Sequence, residues 1–116
     1  MSGTEANTRA VAGMDLQAFN DTCFALVDWL GTVEMPEDRV GIREAGGCLG
    51  GILVGLMTEG KATFIPGESG NVAALCGYLK DDADPHRAAI LTVIGDCAQA
   101  AVAAGRNLEF SLAPKG

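Results

Sequence analysis

A phosphate-binding loop is the first chemistry that the spacing of residues suggests. The stretch Gly55 to Ala62, GLMTEGKA, follows the pattern G-x-x-x-x-G-K, in which backbone N–H groups and a lysine bind phosphates. However, Ala62 stands where a Ser or Thr hydroxyl should contact a magnesium ion. Pro66 also follows too soon for the helix whose N-terminus would face the phosphates. The sequence therefore predicts no nucleotide site here.

The four cysteines, Cys23, Cys48, Cys76 and Cys97, are candidates for metal binding or nucleophilic catalysis. Zinc accepts four thiolates, but structural zinc sites usually take their ligands in close pairs, and no C-x-x-C pair occurs in this chain. Buried thiols that act as small hydrophobic groups are the commoner case. We therefore expect no metal and no cofactor. Because the first residues lack the apolar core of a secretory signal, we expect reduced thiols and a cytoplasmic protein.

A small enzyme or ligand-binding domain is the alternative, with a site between helices that uses Cys48, Cys97, His86 or Asp96. As a general base, His86 would need a nucleophile and an orienting acid beside it. The aspartates nearest in sequence belong to the turn and the helix cap predicted before His86. Since no coherent set of base, nucleophile and ligand is visible, the leading interpretation is a domain without catalytic activity.

The apolar run from Ala45 to Thr58 raises the question of a membrane span. This uncharged stretch has 14 residues, whereas about 20 are needed to cross a bilayer. Glu44 and Glu59 close it on both sides. We therefore expect no membrane partner.

The same segment admits two structures. In the first, one helix begins near Pro36 and ends at Gly60, and three glycines line one ridge at four-residue spacing: Gly47, Gly51 and Gly55. A glycine within a helix costs about 0.5–1 kcal/mol relative to alanine. Another backbone should therefore lie against this ridge, from either the alanine-rich last helix or a second copy of the chain. In the second structure, residues 52–65 form a β-hairpin. We favour the helix because GILVGLM does not alternate as a half-exposed strand would.

Caps and periodicity predict the other helices. Asp15 is the N-cap of a helix that runs to about Leu30. Asp84, followed by a proline, is the N-cap of the last long helix, which ends at Gly105. A shorter amphipathic helix is predicted within residues 70–82, after a polar loop over residues 66–71.

Two short strands complete the predicted fold. Residues 107–112 alternate between polar and apolar side chains, which is typical of a strand. Lys61–Ile65 is the best candidate for its partner. The expected fold class is mainly α: a four-helix bundle-like domain over residues 14–116 with two short β-strands, after a disordered leader over residues 1–13. The alternative is an α+β fold with the hairpin at 52–65 plus a C-terminal strand.

Charge gives the main indication of function. The net charge is −7, and residues 1–38 hold seven acids against one base. This balance argues against nucleic acid or an anionic membrane as a direct partner. We expect an adaptor, inhibitor or assembly subunit that binds a basic protein partner and forms a homo-oligomer; an acidic decoy of nucleic acid is a further alternative. The interface candidates are Trp29, Asp21, Asp28, Gly47, Gly51, Gly55 and Tyr78.

Overall fold

The computed structural model describes residues 7–32, 40–81 and 83–115. Within these ranges the chain forms four helices and three strands, and the mainly α fold class is confirmed. Their order is β1 (Asn7–Ala12), α1 (Leu16–Leu30), α2 (Val40–Glu59), β2 (Lys61–Phe64), α3 (Pro66–Lys80), α4 (Pro85–Ala104) and β3 (Leu108–Lys115). Each helix packs against the next, and α1 also contacts α4, so that the four helices form a closed bundle-like layer.

The predicted caps of α1 and α4 are present. The carboxylate of Asp15 accepts a hydrogen bond from the N–H of Ala18 at 2.8 Å, and that of Asp84 accepts one from the N–H of Arg87 at 2.9 Å. Gly105 ends α4 with a φ of 66°, in the left-handed region that glycine adopts without strain. These local signals set the bounds of both helices.

Helix α2 settles the choice between the two structures of the glycine-rich segment. Its 20 residues, Val40 to Glu59, are continuously helical, so the hairpin alternative is wrong. The predicted start at Pro36 lies outside the described residues. Gly60, with a φ of 73°, ends the helix and turns the chain directly into β2.

The backbone that lies against the glycine ridge belongs to β2. A Cβ atom added at Gly55 would lie 2.9 Å from the carbonyl oxygen of Lys61. The expected contact with the last helix is wrong at this position, because α4 packs most extensively against α3, where Gly95 approaches Cys76. A Cβ atom at Gly47 or Gly51 would meet no described atom within 4 Å.

This difference along the ridge predicts opposite effects of alanine. We expect Gly55→Ala to lower the free energy of unfolding by about 1–2 kcal/mol, because the clash with a backbone oxygen outweighs the gain in helix propensity. Gly47→Ala, the matched control, should raise it by about 0.5–1 kcal/mol, since its Cβ meets open space. Urea unfolding followed by circular dichroism measures both. Equal effects at the two positions would contradict the close approach at Gly55.

The sheet has the order β1–β3–β2, with β3 at its centre. The predicted pairing of the two short strands is confirmed, and the structure shows that it is antiparallel, with Ala62 opposite Phe110. The first strand was not predicted: β1 pairs with β3 in parallel, and Asn7 lies opposite Phe110. The expectation of a disordered leader is therefore wrong for residues 7–12, while residues 1–6 lie outside the described residues. A central strand needs partners on both edges, and β1 supplies the second.

Helix α3 begins earlier than predicted. Residues 66–71 were expected to be a polar loop, but Pro66 is the first residue of the helix, and the N–H of Ser69 already bonds to the carbonyl oxygen of Ile65 at 2.9 Å. Proline is favoured at this position because the first N–H of a helix has no intrahelical partner. This shift moves Glu68 from a loop onto a helix that faces α2.

Helix α4 lies at the centre of the core. Its residues Ile90, Leu91, Ile94, Cys97 and Ala101 are completely buried. Helix α4 contacts α1, α3 and all three described strands. Among the described helices, α4 is long and apolar enough to cross a bilayer by length and composition, a test that core helices also meet.

Candidate functional site

The most exposed large apolar side chain among the described residues is Phe24 on α1, with 69% of its surface accessible. Asp21 precedes it by three residues and Asp28 follows it by four, which places all three on one face of the helix. Leu16, two turns earlier, is also exposed. The opposite face of α1 is buried through Phe19, Cys23 and Leu26. We call the exposed group Leu16, Asp21, Phe24 and Asp28 the α1 face.

The aspartates of the α1 face are available to a partner. Both are exposed, and neither forms an ion pair with a described residue. The sequence identified Asp21 and Asp28 by charge but did not identify Phe24. The spacing of Phe24 from both aspartates, together with its position outside the buried stripe, is the signal that could have revealed it.

Trp29 and Tyr78, the other predicted aromatic anchors, occupy different environments. Trp29 is half-buried against the core, and the guanidinium carbon of Arg87 lies 5.5 Å from its ring centroid. Arg87 also bonds to Asp84, with 3.3 Å between Nε and Oδ2. Trp29 therefore joins α1 to the start of α4. Tyr78 is exposed on α3 and so belongs to a different helix from the α1 face.

A second feature is a cavity of about 300 Å³ between α2, β2 and the start of α3. Two glycines of the predicted ridge, Gly51 and Gly55, line it, whereas Gly47 does not. Lys61 and Glu109 form an ion pair at its edge, with 3.8 Å between Nζ and Oε2. The ridge was predicted as one surface. In the structure Gly51 and Gly55 form part of the cavity wall, while Gly47 is exposed outside the cavity.

Cys48 and Glu68 meet at the other end of this cavity. The Cys48 thiol donates a hydrogen bond to Oε2 of Glu68, with 3.1 Å between the sulfur and the oxygen. This bond to a carboxylate raises the pKa of Cys48, and partial burial and the charge of Glu44 add to the effect. The thiol therefore stays protonated at neutral pH and is a weak nucleophile. The same pair lines a smaller cavity of about 160 Å³, so that it separates the two spaces.

The residues of the enzyme alternative are not brought together. Cys97 is buried in α4, while Asp96, next to it, is exposed. His86 is exposed in the first turn of α4, roughly 15 Å along the helix from Asp96 at 1.5 Å per residue. Cys48 lies on α2 beside α3. Among the described residues, no group of three or more His, Cys, Asp or Glu side chains could hold a metal ion.

No protein-family model, curated protein or solved structure significantly matches this chain. Two surfaces of the molecule itself are therefore the candidates for function. The α1 face combines an exposed aromatic side chain with two aspartates that form no ion pair within the described part of the chain. The cavity combines the edge of strand β2 with carboxylates.

Proposed function

We propose that this domain is a protein-interaction module that binds a basic, amphipathic segment of a partner protein through the α1 face. The observation that carries the proposal is the 69% exposure of Phe24 between two aspartates that form no ion pair with a described residue. In the role expected from the sequence, the domain acts as an adaptor, inhibitor or assembly subunit. Its four free cysteines fit the reducing cytoplasm that the sequence predicts.

The chemistry of the α1 face defines the partner segment. An aromatic side chain contributes large apolar area to an interface and is a common site of strong binding contributions. Asp21 and Asp28, about one turn on either side of Phe24, favour a segment with lysine or arginine flanking its apolar residues. A helix with this pattern satisfies both requirements, since helices commonly bind through an apolar stripe.

A second copy of the chain is a poor occupant of the α1 face. In a two-fold symmetric contact the same surface meets itself, so the aspartates around Phe24 would meet aspartates. We therefore assign the predicted homo-oligomer to the exposed glycine Gly47 of α2, which lies outside the cavity described above. There a neighbouring backbone could approach closely.

Matched variants test the α1 face. Phe24→Ala removes the apolar contact, and Asp21→Asn with Asp28→Asn removes the charges at nearly constant shape. Val102→Ala and Asp96→Asn are the controls, because both residues are exposed on another helix, α4, and are not part of the α1 face. Proteins captured from the native host by each variant are quantified by mass spectrometry. The purified partner is then titrated by calorimetry.

We expect the wild type and both control variants to capture the same partner protein. Phe24→Ala should weaken the affinity for this partner by roughly tenfold or more. The double Asn variant should slow association and reduce the dependence on salt. If binding of the partner weakens steeply as salt is added but is unaffected by Phe24→Ala, the result would favour the acidic decoy instead. If every captured protein is retained by Phe24→Ala, the proposal is wrong.

A further inference from the structure

The cavity between α2, β2 and the start of α3 is a separate surface, since none of its lining residues belongs to α1. One wall is the C-terminal half of α2, and the other is β2 together with Ile65. Ile52, Phe64 and Val72 line its apolar part and are buried in the core. The cavity therefore combines an apolar floor with the edge of a β-strand.

The orientation of the β2 backbone follows from the contact at Gly55. Within the described sheet, β2 pairs with β3 and lies at the edge. The carbonyl oxygen of Lys61 points to α2, because it approaches Gly55. In an antiparallel strand the N–H and C=O of one residue point to the same side, and the side alternates along the chain. The N–H and C=O of Thr63 therefore also point away from β3, towards α2.

The cavity opens where α2 diverges from this strand edge. At Gly55 the helix contacts β2 directly. At Gly51, about one turn earlier, an added Cβ would meet no described atom within 4 Å. Gly51 and Thr63 both line the cavity. The backbone N–H and C=O of Thr63 thus face a space that α2 leaves unfilled.

The charged side chains around the cavity favour a positively charged ligand. Three carboxylates line it, those of Glu59, Glu68 and Glu109, against one ammonium group, that of Lys61. Lys61 is paired with Glu109. Glu68 accepts one hydrogen bond from Cys48 and has a second carboxylate oxygen. An excess of negative charge therefore remains around the cavity.

We propose that this cavity binds a short, extended peptide segment that carries a lysine or arginine. The peptide pairs with the backbone of Thr63 as an added strand, and its cationic side chain reaches Glu59 or Glu68. Main-chain hydrogen bonds to an open strand edge, combined with adjacent side-chain pockets, are a recurring mode of peptide recognition. A second copy cannot pair its own β2 here, because α2 covers part of that edge in each copy.

An array of random hexapeptides, acetylated at the N-terminus and amidated at the C-terminus, is the probe. Gly51→Leu fills the cavity with a side chain, and Gly47→Leu is the matched control, an exposed glycine of the same helix outside the cavity. Thr63→Pro removes the N–H that faces the cavity while leaving the bonds to β3 in place, since proline is tolerated at such edge positions. Circular dichroism verifies the fold of each variant.

We expect bound hexapeptides to be enriched in lysine and arginine, and the amide signal of Thr63 to shift in NMR spectra on binding. Gly51→Leu and Thr63→Pro should each lower the affinity for the best peptide roughly tenfold. Gly47→Leu and Phe24→Ala should leave this affinity unchanged. The proposal is overturned if no hexapeptide binds, if bound peptides lack basic residues, or if the two leucine variants bind alike. Loss of the sheet in Thr63→Pro would also overturn it, because the N–H would then belong to the β3 ladder. Because Phe24→Ala leaves this cavity intact, failure here does not bear on the α1 face.

Discussion

Raising the pH from about 8 to about 10 should lower the free energy of unfolding by about 4 kcal/mol. The cause is the burial of three thiols. Burial raises the pKa of Cys23 and Cys76 to about 12. It also raises the pKa of Cys97 to about 11, with a smaller contribution from Asp96 and an opposing one from Arg9. In the unfolded chain these groups ionise near their ordinary value of 9.0.

The sign follows from which state holds the protons. A thiol with a raised pKa in the folded state contributes its full stability below pH 9 and loses it as the pH rises towards 11 or 12. Above pH 9 the unfolded chain releases three protons that the folded chain retains. Each contributes about 1.4 kcal/mol per pH unit. Since small domains are stable by only about 5–15 kcal/mol, alkaline unfolding is expected.

Urea unfolding at the two pH values, followed by the fluorescence of the single tryptophan, measures this loss. The control is the triple variant Cys23→Ala, Cys76→Ala, Cys97→Ala, in which the other alkaline groups remain. This variant should be less stable than the wild type at the lower pH. Its free energy of unfolding should, however, fall much less when the pH is raised. If the triple variant does not fold, each single variant should reduce the loss by about 1.4 kcal/mol. An unchanged pH dependence in these variants would show that the thiols are not responsible.

Phe110→Ala should lower the free energy of unfolding by about 3–5 kcal/mol. Phe110 is buried on the central strand β3, with 2% of its surface accessible. Its ring packs edge-on against that of Phe64 on β2, with 5.6 Å between centroids. The guanidinium carbon of Arg9 on β1 lies 5.4 Å from the same ring. One side chain therefore contacts both neighbouring strands, and its removal leaves a cavity where the sheet meets the helices.

The matched control for this prediction is Phe24→Ala. Because Phe24 is mostly exposed, its replacement should change stability by no more than about 0.5 kcal/mol. Urea unfolding followed by circular dichroism compares the two variants. Comparable losses would mean that Phe24 is packed rather than exposed, which would also remove the basis for the α1 face.

The helices were largely predictable because their signals are local. The caps Asp15 and Asp84 and the terminator Gly105 fix α1 and α4 from a few neighbouring residues. The strand β1 was missed because its sequence, NTRAVA, does not alternate between apolar and polar residues. Its place depends on hydrogen bonds to a strand about a hundred residues later, which no local pattern encodes.

The candidate sites were predictable only in part. The charge of the N-terminal third identified Asp21 and Asp28 as interface candidates. Phe24 becomes a candidate only when the buried face of α1 is known. Glu68 was not predicted as part of a site, because the glycines on either side of it, Gly67 and Gly70, are typical of a loop. A proline followed by an acid in the first turn is a helix-start signal that could have placed it correctly.

The position of β3 at the centre of the sheet also has a consequence for biosynthesis. Of the elements described, β3 is the last to leave the ribosome, yet both other strands pair with it. Neither β1 nor β2 can therefore complete its hydrogen bonding within the sheet until β3 has been made. The helices can form beforehand from their local caps, and the sheet closes only once β3 has emerged. The nascent domain thus carries unpaired strands while its helices are being made, and assembly of its sheet waits for the last described strand.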